Sequence, residues 1–131
     1  MKTISKAVLS LSLLISVGTA QAADPQTFLK LYPGESKEAP SVQKGEKFFS
    51  SKHGNEWSCS SCHGMPPTGE GKHASTNKAI APLAPSFNPE RFTDVAKVDK
   101  WFKRNCNDVL GRVCTPSEKA DVLAYLISLK K

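Results

Sequence analysis

The chain is poor in methionine and in aromatics, and it has no long hydrophobic run beyond its first residues. Of its 131 residues two are methionine, and Phe, Trp and Tyr together make up 8%. The one extended apolar stretch is Ala7–Val17, shorter than the roughly 20 residues of a membrane-spanning helix. No segment alternates apolar and polar residues as a half-buried strand does, which argues against a β-sheet protein. No internal repeat is present, which argues against a solenoid. Lys and Arg outnumber Asp and Glu by 18 to 12, but they are scattered. Without a basic run, nothing calls for nucleic acid. Only one pair of the four cysteines has C-x-x-C spacing. The other pair, Cys106 and Cys114, is spaced poorly for completing a zinc site. No βαβ pattern surrounds the close pair, as a thioredoxin-like dithiol would require.

The N-terminus reads as an export signal. Lys2 and Lys6 precede the Ala7–Val17 core, and Ala20-Gln21-Ala22 has the small-residue form of a cleavage site. Residues 1–22 are expected to be removed, leaving 23–131 as a single domain in the periplasm. Two lysines leave with the signal, so the mature chain remains mildly basic. Such a surface suits an acidic protein partner or simple solubility. Membrane contact is expected only through a partner.

Cys59-Ser60-Ser61-Cys62-His63 is a haem-attachment sequence. In C-x-x-C-H the two thiols add to the haem vinyl groups, and the following histidine becomes an axial ligand of the iron. One haem c is therefore expected, held by Cys59 and Cys62 with His63 as proximal ligand. Cys106 and Cys114 remain. In an exported chain the expected outcome is a disulfide between them, contributing roughly 2.5 kcal/mol by loop-closure entropy.

The periodicity predicts helices separated by loops. Asp24-Pro25 opens a short first helix, and Ser41 caps a second carrying Gly45 and Phe49 on one face. The stretch 64–89 is rich in Gly, Pro, Ser and Thr and reads as a long loop. Within it Ile80-Ala81-Pro82-Leu83-Ala84-Pro85 is expected to line the proximal side of the haem, with Pro82 or a neighbour offering a carbonyl to the His63 ring N–H. A third helix starts at Thr93 or Asp94 and runs to about Asn107. Val95, Val98, Trp101, Phe102 and Val109 form its expected buried face, and Asn105 lies in the same arc. Thr115-Pro116-Ser117-Glu118 is a capping box that opens the last helix.

The shortage of methionine bears on the sixth iron position. A single-haem carrier usually holds iron between His and Met. Met1 leaves with the signal, and Met65 is tethered two residues past His63. His53, His73, a lysine that has lost its proton, and Asn105 all remain as candidates. For Asn105 the pattern leaves two readings open: its amide binds iron, or it bonds to backbone and helps end the helix.

These segments resemble class I cytochromes c, an all-α fold wrapped around one covalent haem. Gly45-Glu46-Lys47-Phe48-Phe49 and Glu118–Leu126 are similar to the crossing terminal helices of that fold. Ile80–Ser86 and the block Arg104–Cys106 through Cys114-Thr115-Pro116 closely resemble the sphaeroides haem protein family, and the likeness covers nearly the whole mature chain. The resemblance implies Asn105 as distal ligand of the oxidised iron, a Cys106–Cys114 bridge, and departure of the amide on reduction, so that dioxygen, nitric oxide or carbon monoxide can bind. It further implies a dihaem cytochrome c and a membrane cytochrome b as donors. Turnover of dioxygen or nitric oxide, including nitric oxide dioxygenation, would make the protein an enzyme. A plain periplasmic electron carrier is the alternative.

Overall fold

The computed structural model describes residues 24–32 and 38–131. The export signal and the boundary at residue 23 lie outside the described residues. Five helices and one two-residue ladder follow in chain order: α1 (Pro25–Leu31), α2 (Val42–Ser50), α3 (Cys59–His63), β1 (Gly71–Lys72), β2 (Ala79–Ile80), α4 (Val95–Leu110) and α5 (Pro116–Ser128).

α5 is the central element. Its capping box forms as the sequence indicates: Glu118 N–H donates to Thr115 Oγ1 at 3.2 Å, and Thr115 N–H to Glu118 Oε2 at 2.8 Å. The sequence pattern predicts an apolar stripe of Val122, Leu123, Leu126 and Ile127 flanked by Tyr125, and the buried surface is wider, since Ala120 and Val122–Ile127 are all buried. Burial all round marks a helix packed on several sides. α2 crosses it where Gly45 lies against the Asp121 backbone. A Cβ at Gly45 would stand 1.9 Å from the Asp121 carbonyl oxygen. The same crossing is tied by Ser41 N–H donating to Asp121 Oδ1 at 2.7 Å. α1 lies on α5 through Phe28, which is fully buried.

α4 differs from expectation in two ways. Asp94 caps it as expected, but it continues through Leu110 and ends on Gly111 in the left-handed conformation, φ 69°, the usual role of a glycine after a helix. Its buried side is narrower than the periodicity suggests. Val98, Cys106 and Val109 are buried and Phe102 is half-buried, while Val95 and Trp101 are 40% and 43% exposed. At about 100° per residue, Trp101 lies roughly 60° to one side of Val98, at the margin of the face. Val95 occupies the first turn, beyond the core. The long loop also holds more order than expected, because Gly71↔Ile80 and Lys72↔Ala79 pair antiparallel.

Candidate haem site

α3 is a single turn built by its own serines. Ser58, 4% exposed, caps it: Ser61 N–H donates to Ser58 Oγ at 3.2 Å, and Ser58 N–H to Ser61 Oγ at 2.9 Å. The two residues between the cysteines therefore also fix the turn. Gly64, φ 78°, ends it, with its N–H donating to Ser60 O at 2.9 Å. Cys59 and Cys62 emerge from this turn as free, half-buried thiols. Burial pushes the Cys59 thiol up to about 11 by penalising the thiolate.

His63 ends the turn. Burial, with a smaller push from the Arg91 guanidinium, holds its imidazole down at about 4, so the ring is neutral at neutral pH and keeps a lone pair for a metal. Its Nδ1 is buried without a hydrogen-bond partner. The expected bond to the Pro82 carbonyl is not made. That oxygen instead accepts from Arg91 Nε at 2.9 Å and Asn88 Nδ2 at 3.2 Å, and Arg91 also donates to Ala81 O at 2.7 Å. Both lone pairs of the Pro82 carbonyl are taken. The proximal loop is nevertheless a fixed structure, because Leu83 and Ala84 N–H both donate to Pro67 O at 3.1 Å.

The β1–β2 hairpin lies on the clip. A Cβ at Gly71 would stand 2.2 Å from Cys62 O, and Ala74 N–H donates to Cys62 Sγ at 3.4 Å. His73 sits in this hairpin with Nδ1 accepting from Thr76 N–H at 3.3 Å. His53 is held back onto α2, with Nε2 bonded to Phe48 O at 2.8 Å and its ring 4.4 Å from that of Phe48. Each histidine gives one ring nitrogen to a local contact.

Asn105 is half-buried on α4, and among the described residues its side-chain amide bonds to no protein group. Its neighbour Cys106 is bridged to Cys114, with Cα atoms 5.6 Å apart. Three further ties hold α4 in place. Asn55 Nδ2 donates to Val109 O at 2.8 Å, and Asp99 receives Tyr32 Oη at 2.6 Å and Lys119 Nζ at 3.2 Å. The Tyr32 hydroxyl, then Lys119, hold the Asp99 carboxyl below the ordinary range. No hydrogen bond or ring contact joins Asn105 to α3 among the described residues.

The donors present fit a covalent haem c. Two thiols and a neutral imidazole share one rigid turn. Among the described residues no group of three or more His, Cys, Asp or Glu could hold a metal ion. Three contributors escaped sequence reasoning. Ser58 carried a weak cap signal through Ser61. Arg91 and Asn55 carried none, since a lone polar residue in a loop does not reveal which carbonyl it reaches.

Helices around a haem clip define a class I c-type cytochrome. Residues 35–126 match the family described as a domain of unknown function, DUF1924. Cytochrome c'' of Methylophilus methylotrophus is 48% identical over 98 residues, covering 72% of this chain and 68% of that protein. Its solution structure, which addresses the structural basis of haem-ligand detachment, superposes with a TM-score of 0.71 at 41% identity and covers 82% of this chain and 94% of that one. The cytochrome c-type protein SHP of Cereibacter sphaeroides is 61% identical over 69 residues, 53% of each protein. The structure of oxidised SHP, an oxygen-binding cytochrome c, matches at TM-score 0.75 and 42% identity, covering 82% of this chain and 99% of that one. The chain belongs to the family described as DUF1924 and to the sphaeroides haem protein family, and binds one covalent haem c.

Proposed function

We propose that this protein is an exported, periplasmic cytochrome in which Asn105 is the distal ligand of oxidised iron and leaves on reduction, opening the sixth position to dioxygen, nitric oxide or carbon monoxide. The observation that carries this reading is the half-buried amide of Asn105 beside the Cys106–Cys114 bridge, bonded to no protein group among the described residues. Met65, the one methionine outside the signal, instead receives the Tyr125 hydroxyl at 3.4 Å. Oxygen binding by SHP and the haem-ligand detachment addressed in cytochrome c'' support the two halves of the reading.

The haem supplies one-electron chemistry and an axial position that exchanges ligands. The chain's residues set the terms. His63 offers a neutral nitrogen from a buried, rigid turn. Asn105 offers an amide oxygen, a neutral hard donor that suits ferric iron and gives way to π-accepting diatomics on ferrous iron. The bridge and the Tyr32–Asp99–Lys119 contacts keep α4 still while the side chain moves. The displaced NH₂ can donate a hydrogen bond to a ligand in the position it vacates. Turnover of dioxygen or nitric oxide belongs to the same proposal.

Carbon monoxide added to the reduced protein separates this reading from a plain electron carrier. The visible spectrum is expected to shift to that of a carbon monoxide complex. An unchanged spectrum would mean a sixth position closed in both redox states.

The proposed donors are a dihaem cytochrome c and a membrane cytochrome b. Lys47, Lys52, Lys72 and Lys78 are exposed near the clip in sequence, while Lys44 is paired with Glu38. If the unpaired lysines steer an acidic donor, the reduction rate falls steeply with ionic strength. A rate independent of salt would remove the steering role.

A further inference from the structure

One row of side chains runs from the clip to the surface. The rings of His63 and Phe49 lie 6.2 Å apart, centre to centre, and those of Phe49 and Tyr125 lie 5.6 Å apart. Tyr125 is 3% exposed, and its hydroxyl donates to Met65 Sδ at 3.4 Å. Met65 itself is 47% exposed. The ligand-exchange reading gives neither Tyr125 nor Met65 a role at the iron.

A thioether is a weak acceptor, so the buried Tyr125 phenol has a poor partner. Oxidation to the sulfoxide turns that flexible apolar side chain into a polar one with a strong acceptor oxygen, and exposure sets its susceptibility. The source of oxidant rests on the proposed function: dioxygen that takes one electron from a single reduced haem leaves as superoxide, and two superoxides with two protons disproportionate to hydrogen peroxide and dioxygen.

We propose that Met65 is a redox modification site, oxidised by peroxide to the sulfoxide, and that the Tyr125 hydroxyl carries the change to the proximal side of the haem. The Met65 sulfur lone pair attacks one peroxide oxygen. The S–O bond forms as the O–O bond breaks. The other oxygen leaves with both protons as water. Sulfur loses two electrons and peroxide gains them. Tyr125 then donates to the sulfoxide oxygen, and its ring moves against Phe49, which packs on His63. A more polar proximal shell favours the more highly charged oxidised haem, so the midpoint potential falls.

The test treats the oxidised holoprotein with a small excess of hydrogen peroxide, then follows peptide mass and spectroelectrochemical midpoint. Wild type is expected to gain one oxygen at Met65 and show a lowered midpoint, with both reversed by methionine sulfoxide reductase. Met65→Leu keeps its midpoint through the treatment. Tyr125→Phe gains the oxygen without the shift, because the hydroxyl that relays it is gone. A Met65 that resists peroxide levels sufficient to oxidise a free methionine peptide overturns the site. Oxidation with no movement of the wild-type midpoint overturns the relay. These readouts need only a covalent haem, so failure of the Asn105 assignment would appear separately, in the carbon monoxide and Asn105→Ala spectra.

Discussion

Gly45→Ala is expected to destabilise the protein severely, against the trend of helix propensity. Alanine is favoured over glycine inside a helix by about 1 kcal/mol, so at an open position the change would stabilise. Here the added methyl would meet the Asp121 carbonyl oxygen at 1.9 Å and Tyr125 Cβ at 3.0 Å. The obstacle is backbone, so no side-chain rotation relieves it. α2 must move away from α5, and the Ser41–Asp121 hydrogen bond at 2.7 Å sits at the same crossing. The loss should reach or exceed the ~3 kcal/mol usual at the upper end for overpacked cores, a fall of more than about 10 °C in Tm. Thermal unfolding of the holoprotein measures it. An unchanged or raised Tm would mean the helices do not cross this tightly.

Replacing Cys59 and Cys62 together by alanine is expected to abolish covalent haem. α3 presents both thiols from one turn closed by Ser58, Ser61 and Gly64, and the other two cysteines are joined to each other. No spare thiol remains to substitute. Any haem recovered with the double variant should come away in acid-acetone, whereas wild-type haem stays with the polypeptide. Acid-stable haem in the variant at wild-type yield would contradict attachment at the clip.

Much of this was legible in the sequence because the signals were local. A five-residue clip, a capping box at Thr115–Glu118 and a glycine four residues from Phe49 each declare themselves within one turn of helix. The likeness to the sphaeroides haem protein family extended that reading to nearly all of residues 23–131. What escaped depends on distant partners. Trp101 fits an apolar stripe by periodicity, yet lies at the margin because tertiary packing centres the buried face on Val98, Cys106 and Val109. α5 buries more than its stripe because neighbours pack on several sides of it. Pro82 or a neighbour was expected to offer its carbonyl to His63; the Pro82 carbonyl accepts from Asn88 and Arg91, and no spacing rule announces a guanidinium reaching back nine residues along the chain. Met65 was read as unable to reach the distal face, and it proves to be engaged with Tyr125, 60 residues away.

The ligand assignment is tested most directly by the visible spectrum of oxidised Asn105→Ala holoprotein. Among the described residues the Asn105 amide bonds to no protein group, and it sits beside a buried, bridged Cys106, so its truncation tests the proposed ligand without breaking a hydrogen bond elsewhere. The oxidised spectrum is expected to change to that of water-ligated or five-coordinate iron, while the reduced variant still takes carbon monoxide. An oxidised spectrum identical to that of wild type would contradict the assignment, and His73 and His53 would be the next side chains to replace.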